Sequence, residues 1–413
     1  MRILHVNDYY DGGGAEHIAR QTVEGLNDRG HTASLFTSAD VPRHRRTPVS
    51  YLVNRRAARA LADRLAEFRP DVVHLHNYYH ELSPAILIPL GRWKREAPER
   101  RRLVMTAHDY HLVCPNAGLR AQSAGRMMPV DPAVCRSTRS ILQRRWDHRS
   151  PAHGALKALQ HLWHYRLHNR RAFIDLVLCP SPFIARAIES VGHAAIDIPN
   201  PIAPFDPPND IDRPADRLHL VFTGRVEPEK GLADWIDALP ADLNADLTIV
   251  GDGSDLEPAR AAADRLPNLT LHTLGRLPRT ETLRRIAAAH LLVLPSRCAE
   301  NDPLVLIEAL ACRTNILVSN LGGPPELVRS SGLGFTFNPF DADSARAALV
   351  SVRVAFEHGD LNDFDPAPIL AARRPDRYFH RLLLAYDQSA DVGERKPSSR
   401  PLDSTGAPPC ASC

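Results

Sequence analysis

Short apolar runs recur along this chain and alternate with longer amphipathic stretches. Runs at 3–6, 33–37, 71–75, 103–107 and 175–179 read as strands, and so do those at 218–223, 247–250, 269–274, 291–294, 315–318 and 334–337. The stretches between them have helical periodicity. In 15–29, Ile18, Thr22 and Leu26 share one face, and Gly30 stops the helix. Strand, helix, strand in regular alternation means parallel sheets with helices on both sides. The pattern restarts near residue 218, after the proline-rich stretch 198–208. That stretch reads as a linker. The expected organisation is a first Rossmann-like domain at 1–197, a linker at 198–217 and a second Rossmann-like domain at 218–374. A helix at 375–388 returns to the first domain, and a Pro/Ser/Gly-rich tail at 389–413 is read as disordered. The fold class is α/β, with two doubly wound domains facing each other.

A chain of 413 residues has room for two or three domains. No apolar run approaches the length of a membrane span, and the N-terminus is already a strand rather than a signal peptide. A cytoplasmic protein is expected. Seven cysteines, odd in number and scattered, fit reduced thiols. The net charge of +3 hides an asymmetry. Residues 1–180 carry 28 Lys/Arg against 16 Asp/Glu, and the remainder carries 23 against 32. The basic half calls for an anionic partner, whether membrane, nucleic acid or acidic substrate.

Candidate chemistry gathers after the strands. The segment Pro295-Ser-Arg-Cys-Ala-Glu-Asn-Asp-Pro-Leu-Val-Leu-Ile-Glu308 follows one strand and enters a helix. Its carboxylates, Glu300 and Glu308, can then face one crevice at the carboxyl edge of a sheet, where α/β folds bind ligands. Two solvated acids on a surface loop have the same spacing. Arg225 and Lys230 flank another strand–loop–helix turn, Phe222-Thr-Gly-Arg-Val-Glu-Pro-Glu-Lys-Gly231. They suit a diphosphate, with a planar fork and a point charge, or else are ordinary solvated cations. Asp11-Gly-Gly-Gly-Ala-Glu16 opens the first helix, where backbone N–H groups can approach an anion, and lacks the dinucleotide spacing. Gly251-Asp252-Gly253 ends a strand and reads as a base- or phosphate-facing loop or as a turn with a helix cap. Histidines cluster at His74, His76, His80, His108 and His111. Their spacing does not match a metal motif, and hydrogen bonding to a polyhydroxyl substrate suits them better. Two D-x-D matches, Asp210/Asp212 and Asp341/Asp343, read as incidental.

Together, Gly12–Gly14 with Glu16, His108-Asp109, Arg225 with Lys230, Gly251–Gly253, and Glu300 with Glu308 resemble the GT-B glycosyltransferases of family 4, the group 1 retaining enzymes. The segments His76-Asn-Tyr-Tyr and Thr106-Ala-His-Asp-Tyr, followed by Cys114-Pro, look like members that build bacterial cell-surface polysaccharide. The resemblance spans about residues 1–388. It implies a deep cleft between the two domains and a nucleotide-sugar donor, UDP- or GDP-linked. Arg225 and Lys230 would hold the diphosphate and Glu308 the ribose. Glu300 and the backbone of Asn301, Pro303 and Leu304 would hold the transferred sugar. His108 would sit at the sugar from the first domain, Gly13 and Gly14 would approach phosphate or acceptor, and Gly251 and Asp252 would line the donor site. It implies transfer with retention to a hydroxyl acceptor, here a lipid-linked glycan intermediate. It calls for no cofactor, no metal and no nucleic acid.

Two departures from the family pattern matter. Gly322-Gly-Pro-Pro-Glu326 carries two prolines where one is usual, which would shift that loop. Cys135 has no second cysteine near it in sequence, so no staple is expected there. The basic segment 137–171, with Trp146, Trp163 and Tyr165 interleaved, would lie on an anionic membrane at the inner face, or be a solvated arginine face. Cys410-Ala-Ser-Cys413 fits a prenylation pattern only by chance. The competing readings are another GT-B enzyme, a phosphorylase or nucleotide-sugar epimerase, and a non-catalytic nucleotide-sugar binder. A phosphorylase needs a pyridoxal lysine, and of Lys94, Lys157, Lys230 and Lys396 only Lys230 falls at the expected cleft.

Overall fold

The computed structural model describes residues 1–42, 47–123, 125–203, 205–208 and 213–387. Asp210, Asp212 and the tail 389–413 lie outside the described residues. Contacts divide the chain into two compact units, one holding residues 1–179, 184–197 and 383 onward, the other 180–183 and 198–382. The division falls inside the helix Pro375–Asp387.

Each unit is a six-stranded parallel sheet covered by helices. In the first, β1 (Arg2–Val6), β2 (Thr32–Phe36), β3 (Val72–Leu75), β4 (Arg102–Thr106), β7 (Leu176–Cys179) and β8 (Ala195–Asp197) run in the order β2-β1-β3-β4-β7-β8. The hairpin β5 (Arg120–Ser123) and β6 (Arg126–Pro129) is inserted between β4 and β7. In the second, β9 (Leu218–Thr223), β10 (Ala245–Val250), β11 (Leu269–Thr273), β12 (Leu291–Leu294), β13 (Asn315–Ser319) and β14 (Phe335–Phe337) run β11-β10-β9-β12-β13-β14. Winding reverses between β1 and β3 in the first sheet and between β9 and β12 in the second. Open sheets bind ligands beyond the carboxyl ends of strands at such a reversal.

The central strands are mostly apolar because both faces are covered. Leu220, Phe222, Leu291 and Val293 pack on one face with Trp235 and Ile236. Val221, Leu292 and Leu294 pack on the other with Ile286, Leu306, Ala309 and Leu310. The short β8 and the hairpin β5–β6 carry no such pattern and are absent from the sequence expectation.

The basic segment needs correction. Trp146 and Tyr165 are not on a surface. Trp146 is fully buried and donates through Nε1 to the Ile141 carbonyl at 2.7 Å, and Tyr165 donates to the Tyr78 hydroxyl at 3.2 Å. Arg149 and Lys157 are bound to the buried carboxylate of Asp147 at 2.9 and 2.8 Å. Several of these cations and rings therefore hold the fold. Cys135 does have a cysteine neighbour: its thiol and that of Cys114 are both buried and interact. The loop after β4 and the turn Pro132–Arg136 bring them together from 21 positions apart in the sequence.

Candidate active site

In the second unit the reversal point is built by two loops that touch. β9 and β12 are neighbours, pairing Leu220 with Leu291 and Val221 with Leu292. The loop after β9 closes in the turn Pro228–Lys230 and Gly231, whose φ of +67° is left-handed. A Cβ at Gly231 would lie 2.5 Å from the Pro295 carbonyl, so only glycine lets the loops approach this closely. The approach sets Lys230 against Glu300, with Nζ to Oε1 at 2.5 Å. The Ser296 hydroxyl donates to the same oxygen at 2.6 Å. Burial works against both charges, but the pairing outweighs it. The Glu300 pKa is lowered and that of Lys230 raised, so both stay ionised. Arg225 is exposed, lies 3.8 Å from Glu229, and its charge is felt by both Lys230 and Glu300. The site is a half-buried ion pair with one solvent-facing guanidinium at its mouth.

The Glu300 loop is fixed from below. Gly323 N donates to the Glu300 carbonyl at 2.9 Å, and Gly322 bridges Glu300. A Cβ at Gly322 would meet that carbonyl at 2.1 Å. The two prolines that follow lie at the start of a helix, Pro324–Ser331, where a missing N–H is harmless. Asn301 accepts from the Ser181 hydroxyl at 2.8 Å. Asp302 is buried against Arg373 at 2.6 Å and accepts from Asn200 N at 3.1 Å. Pro303 caps the helix Leu304–Ala311 with no side-chain cap on its first N–H groups, Leu304 among them. Glu308 is the one charged residue on that helix and accepts from Arg279 at 2.8 and 2.9 Å. Gly251 and Asp252 lie on the adjacent loop. A Cβ at Gly251 would fall 1.8 Å from the Gly224 carbonyl, and Asp252 caps Gly253 N at 2.8 Å, so loop packing holds this motif in place. Asp341 caps its helix through Asp343 N and Ser344 N, as an incidental D-x-D requires. Sequence reasoning missed the side-chain roles of Ser296, Ser181, Asp302 and Arg279. Arg279 alone left a signal, a cation in the first turn of the helix Arg279–Ala288, where the dipole disfavours it.

In the first unit, His108 follows β4. Its Nε2 bonds His76 Nδ1 at 2.8 Å, and His76 Nε2 bonds His5 Nδ1 at 2.9 Å. His5 and His74 are cross-strand partners on β1 and β3. His74 bonds the Tyr386 hydroxyl and Thr106 Oγ1, each at 2.8 Å. His5, His74 and His76 bring ring nitrogens within 4.8 Å of one another, close enough for a metal, although hydrogen bonds engage most of them. Burial lowers the pKa of His5 to about 3 and of His108 to about 4, so both rings are neutral. Asp109 holds His111 Nδ1 at 2.7 Å and the Tyr79 hydroxyl at 2.9 Å. Asp8, also missed, accepts from three backbone N–H groups of residues 80–82 at 2.8–2.9 Å. Gly13 caps the helix Gly14–Asp28 without a side-chain bond, and a Cβ on Gly14 would meet nothing within 4 Å.

Two parallel-sheet units of this kind, with charged groups at the reversal of the second, are the GT-B architecture. A model described as "Glycosyltransferase Family 4" matches residues 12–204, and one described as "Glycosyl transferases group 1" matches 208–352. The chain belongs to this family, the group 1 glycosyltransferases of family 4. It is 33% identical over 199 residues to a glycogen synthase of Mycobacterium tuberculosis, covering 44% of this chain and 45% of that protein. It is 29% identical over 189 residues to a phosphatidyl-myo-inositol mannosyltransferase of the same species, covering 42% and 48%. The chain thus spans about half the length of the curated relatives it matches. Among solved structures, sucrose-phosphate synthase of Thermosynechococcus elongatus superposes with TM-score 0.63 at 18% identity, covering 94% of this chain and 98% of that one. Anabaena HepE, solved with UDP and glucose, gives 0.58 at 17%, covering 94% and 99%.

Proposed function

We propose that the protein transfers a sugar, with retention, from a nucleoside diphosphate sugar to a hydroxyl on a lipid-linked glycan acceptor. The observation that carries this reading is the Lys230–Glu300 pair with Arg225 beside it, at the reversal of the second sheet. Breaking the anomeric C–O bond leaves negative charge on the diphosphate and positive charge on the sugar. Lys230 and Arg225 stabilise the first, and each is worth about 4 kcal/mol at 4 Å with an effective dielectric of 20. Glu300, held ionised, stays on the sugar side, where its charge opposes the developing cation. Glu308 takes the ribose hydroxyls, and the uncapped N–H groups after Pro303 the sugar. Gly13 and Gly14 approach phosphate or acceptor, and Gly251 and Asp252 border the donor. The acceptor hydroxyl attacks on the face the diphosphate leaves, and the departing phosphate takes its proton. No step calls for a metal. A lysine kept charged by Glu300 is unsuited to carrying pyridoxal, which disfavours the phosphorylase reading. Support for the donor class comes from HepE, which was solved with UDP and with UDP-glucose. Support for a lipid acceptor comes from the name of the mannosyltransferase relative.

The test is a thermal-shift screen of UDP, GDP and ADP sugars, followed by turnover with EDTA present. A ligand at 100 times its dissociation constant stabilises by about 2.7 kcal/mol. Arg225→Ala, at an exposed position, should leave the fold intact and cut turnover roughly 10²–10³-fold. Wild-type turnover in that variant would sink the diphosphate role, and turnover lost in EDTA and restored by Mg²⁺ would sink metal independence.

A further inference from the structure

We propose that His5 and His76 form a hydrogen-bonded relay that fixes His108 as the Nδ1–H tautomer, so that this ring offers the substrate a donor and not an acceptor. The inference rests on the reading that His108 faces the transferred sugar. The relay is His5 Nδ1 to His76 Nε2 at 2.9 Å and His76 Nδ1 to His108 Nε2 at 2.8 Å. The two ring planes are also nearly parallel, His76 and His108 meeting with centroids 5.1 Å apart and an interplanar angle of 16°. Three neutral imidazoles joined by two such bonds have only two consistent proton arrangements, because each bond needs one N–H and one bare nitrogen. Either every ring carries its proton on Nδ1, or every ring carries it on Nε2.

The inner end of the relay decides between them. His5 is fully buried, and its Nε2 has no hydrogen-bond partner among the described residues. With all protons on Nε2, that end is a buried N–H donating to nothing. With all protons on Nδ1, it is a bare acceptor. Orphaned buried N–H groups are rarer than unsatisfied acceptors, so the Nδ1 arrangement is preferred. The proton that His5 cannot place inward is thereby placed outward, on His108 Nδ1. His74 stands beside the relay and not in it, since both its nitrogens are taken by Tyr386 and Thr106. His5 and His76 are positioning residues, while His108 touches substrate.

Ring-¹⁵N-labelled histidine reads the tautomer directly, with His108 assigned by the signals lost in His108→Asn. In the wild type, His108 should carry its proton on Nδ1, and a proton on Nε2 or an even mixture overturns the proposal. His76→Phe keeps an aromatic ring and removes both bonds. It should return His108 to a mixture of tautomers and lower kcat roughly tenfold or more with little change in donor KM. The double variant His76→Phe/His108→Asn should lose no more than His108→Asn alone. If His76→Phe folds and His108 remains purely Nδ1–H, the relay does not set the tautomer. If His76→Phe does not fold, His5→Phe, which removes the inner bond, is judged by the same ring spectrum. A wild-type tautomer as proposed, together with full turnover in His108→Asn, would instead fault the placement of His108 at the sugar.

Discussion

Glu300 and Glu308 share a segment but are held for different work. Glu300 is clamped by Lys230 and Ser296 and kept ionised against burial. The Glu308 carboxylate pairs with Arg279, whose own side chain is half-exposed and stacks over Phe205 at 5.1 Å. An acid that binds ribose acts equally before and during bond breaking, so Glu308→Gln should raise donor KM about tenfold, the worth of one charge-assisted hydrogen bond, with kcat little changed. Glu300→Gln should lower kcat more than KM, because the charge it opposes exists only in the transition state. Equal KM values for Glu308→Gln and wild type would remove the ribose role. The buried histidines set the acid limit of the fold. His5 and His108 have folded pKa values near 3 and 4, below the ordinary 6.5. Between pH 6.5 and 4 the unfolded chain therefore binds protons that the native one does not, so stability is held above pH 6.5 and lost as pH falls. Each such ring contributes a slope of about 1.4 kcal/mol per pH unit. Urea midpoints between pH 7 and 5 should fall steeply, and His5→Phe should shallow the fall by about one proton. An unchanged slope in that variant would mean His5 is already charged in the folded protein.

At the scale of elements, the sheets were legible and the site only half so. Eleven apolar runs mark strands because parallel strands bury both faces. The strands of the hairpin β5–β6 are four residues each with no alternation, and β8 is three residues long, so neither leaves a periodic trace. Arg225, Lys230 and Glu300 stand out by position after strands, but their pairing spans 70 residues of sequence and depends on how closely two loops touch. The same holds for the histidine relay, whose inner member lies inside β1 and reads as one more strand residue. Glycines divide on this point. Gly231 and Gly322 have φ of +67° and +77°, and a Cβ would meet backbone oxygen at 2.5 and 2.1 Å. Alanine at either should cost about 2–4 kcal/mol and loosen Glu300. Gly14, at the start of its helix, meets nothing within 4 Å, so alanine there should leave stability unchanged or raise it by about 0.4–1 kcal/mol. Kinetics should nevertheless suffer if that loop meets substrate. Calorimetry with steady-state rates decides it, and a Gly14→Ala protein that is stable and fully active would mean the loop is only a turn.

For the whole molecule the open matter is where the basic excess of residues 1–180 points. Part of it is internal, as the pairing of Arg149 and Lys157 with Asp147 shows. What remains outward is mixed in character. Leu142, Leu159, Trp163 and Leu167 are 67%, 49%, 41% and 69% exposed, and Arg139 and Arg144 are exposed in the same stretch. Among the described residues no helix is long and apolar enough to cross a membrane. Charge alone gives attraction of about 1 kcal/mol per cation, falling off within a Debye length. Inserted Trp and Leu side chains add about 1.5–3 kcal/mol each on full burial, and that part does not screen. Sedimentation with phosphatidylglycerol vesicles should therefore show binding with two components. Raising salt should weaken the first and leave a residue. Trp163→Ala with Leu167→Ala should abolish that residue and leave the low-salt binding and the donor affinity in place. Complete release of the wild type by salt would make the exposed apolar side chains bystanders. No binding even at low salt would leave the basic stretch as a solvated face and remove membrane contact through it.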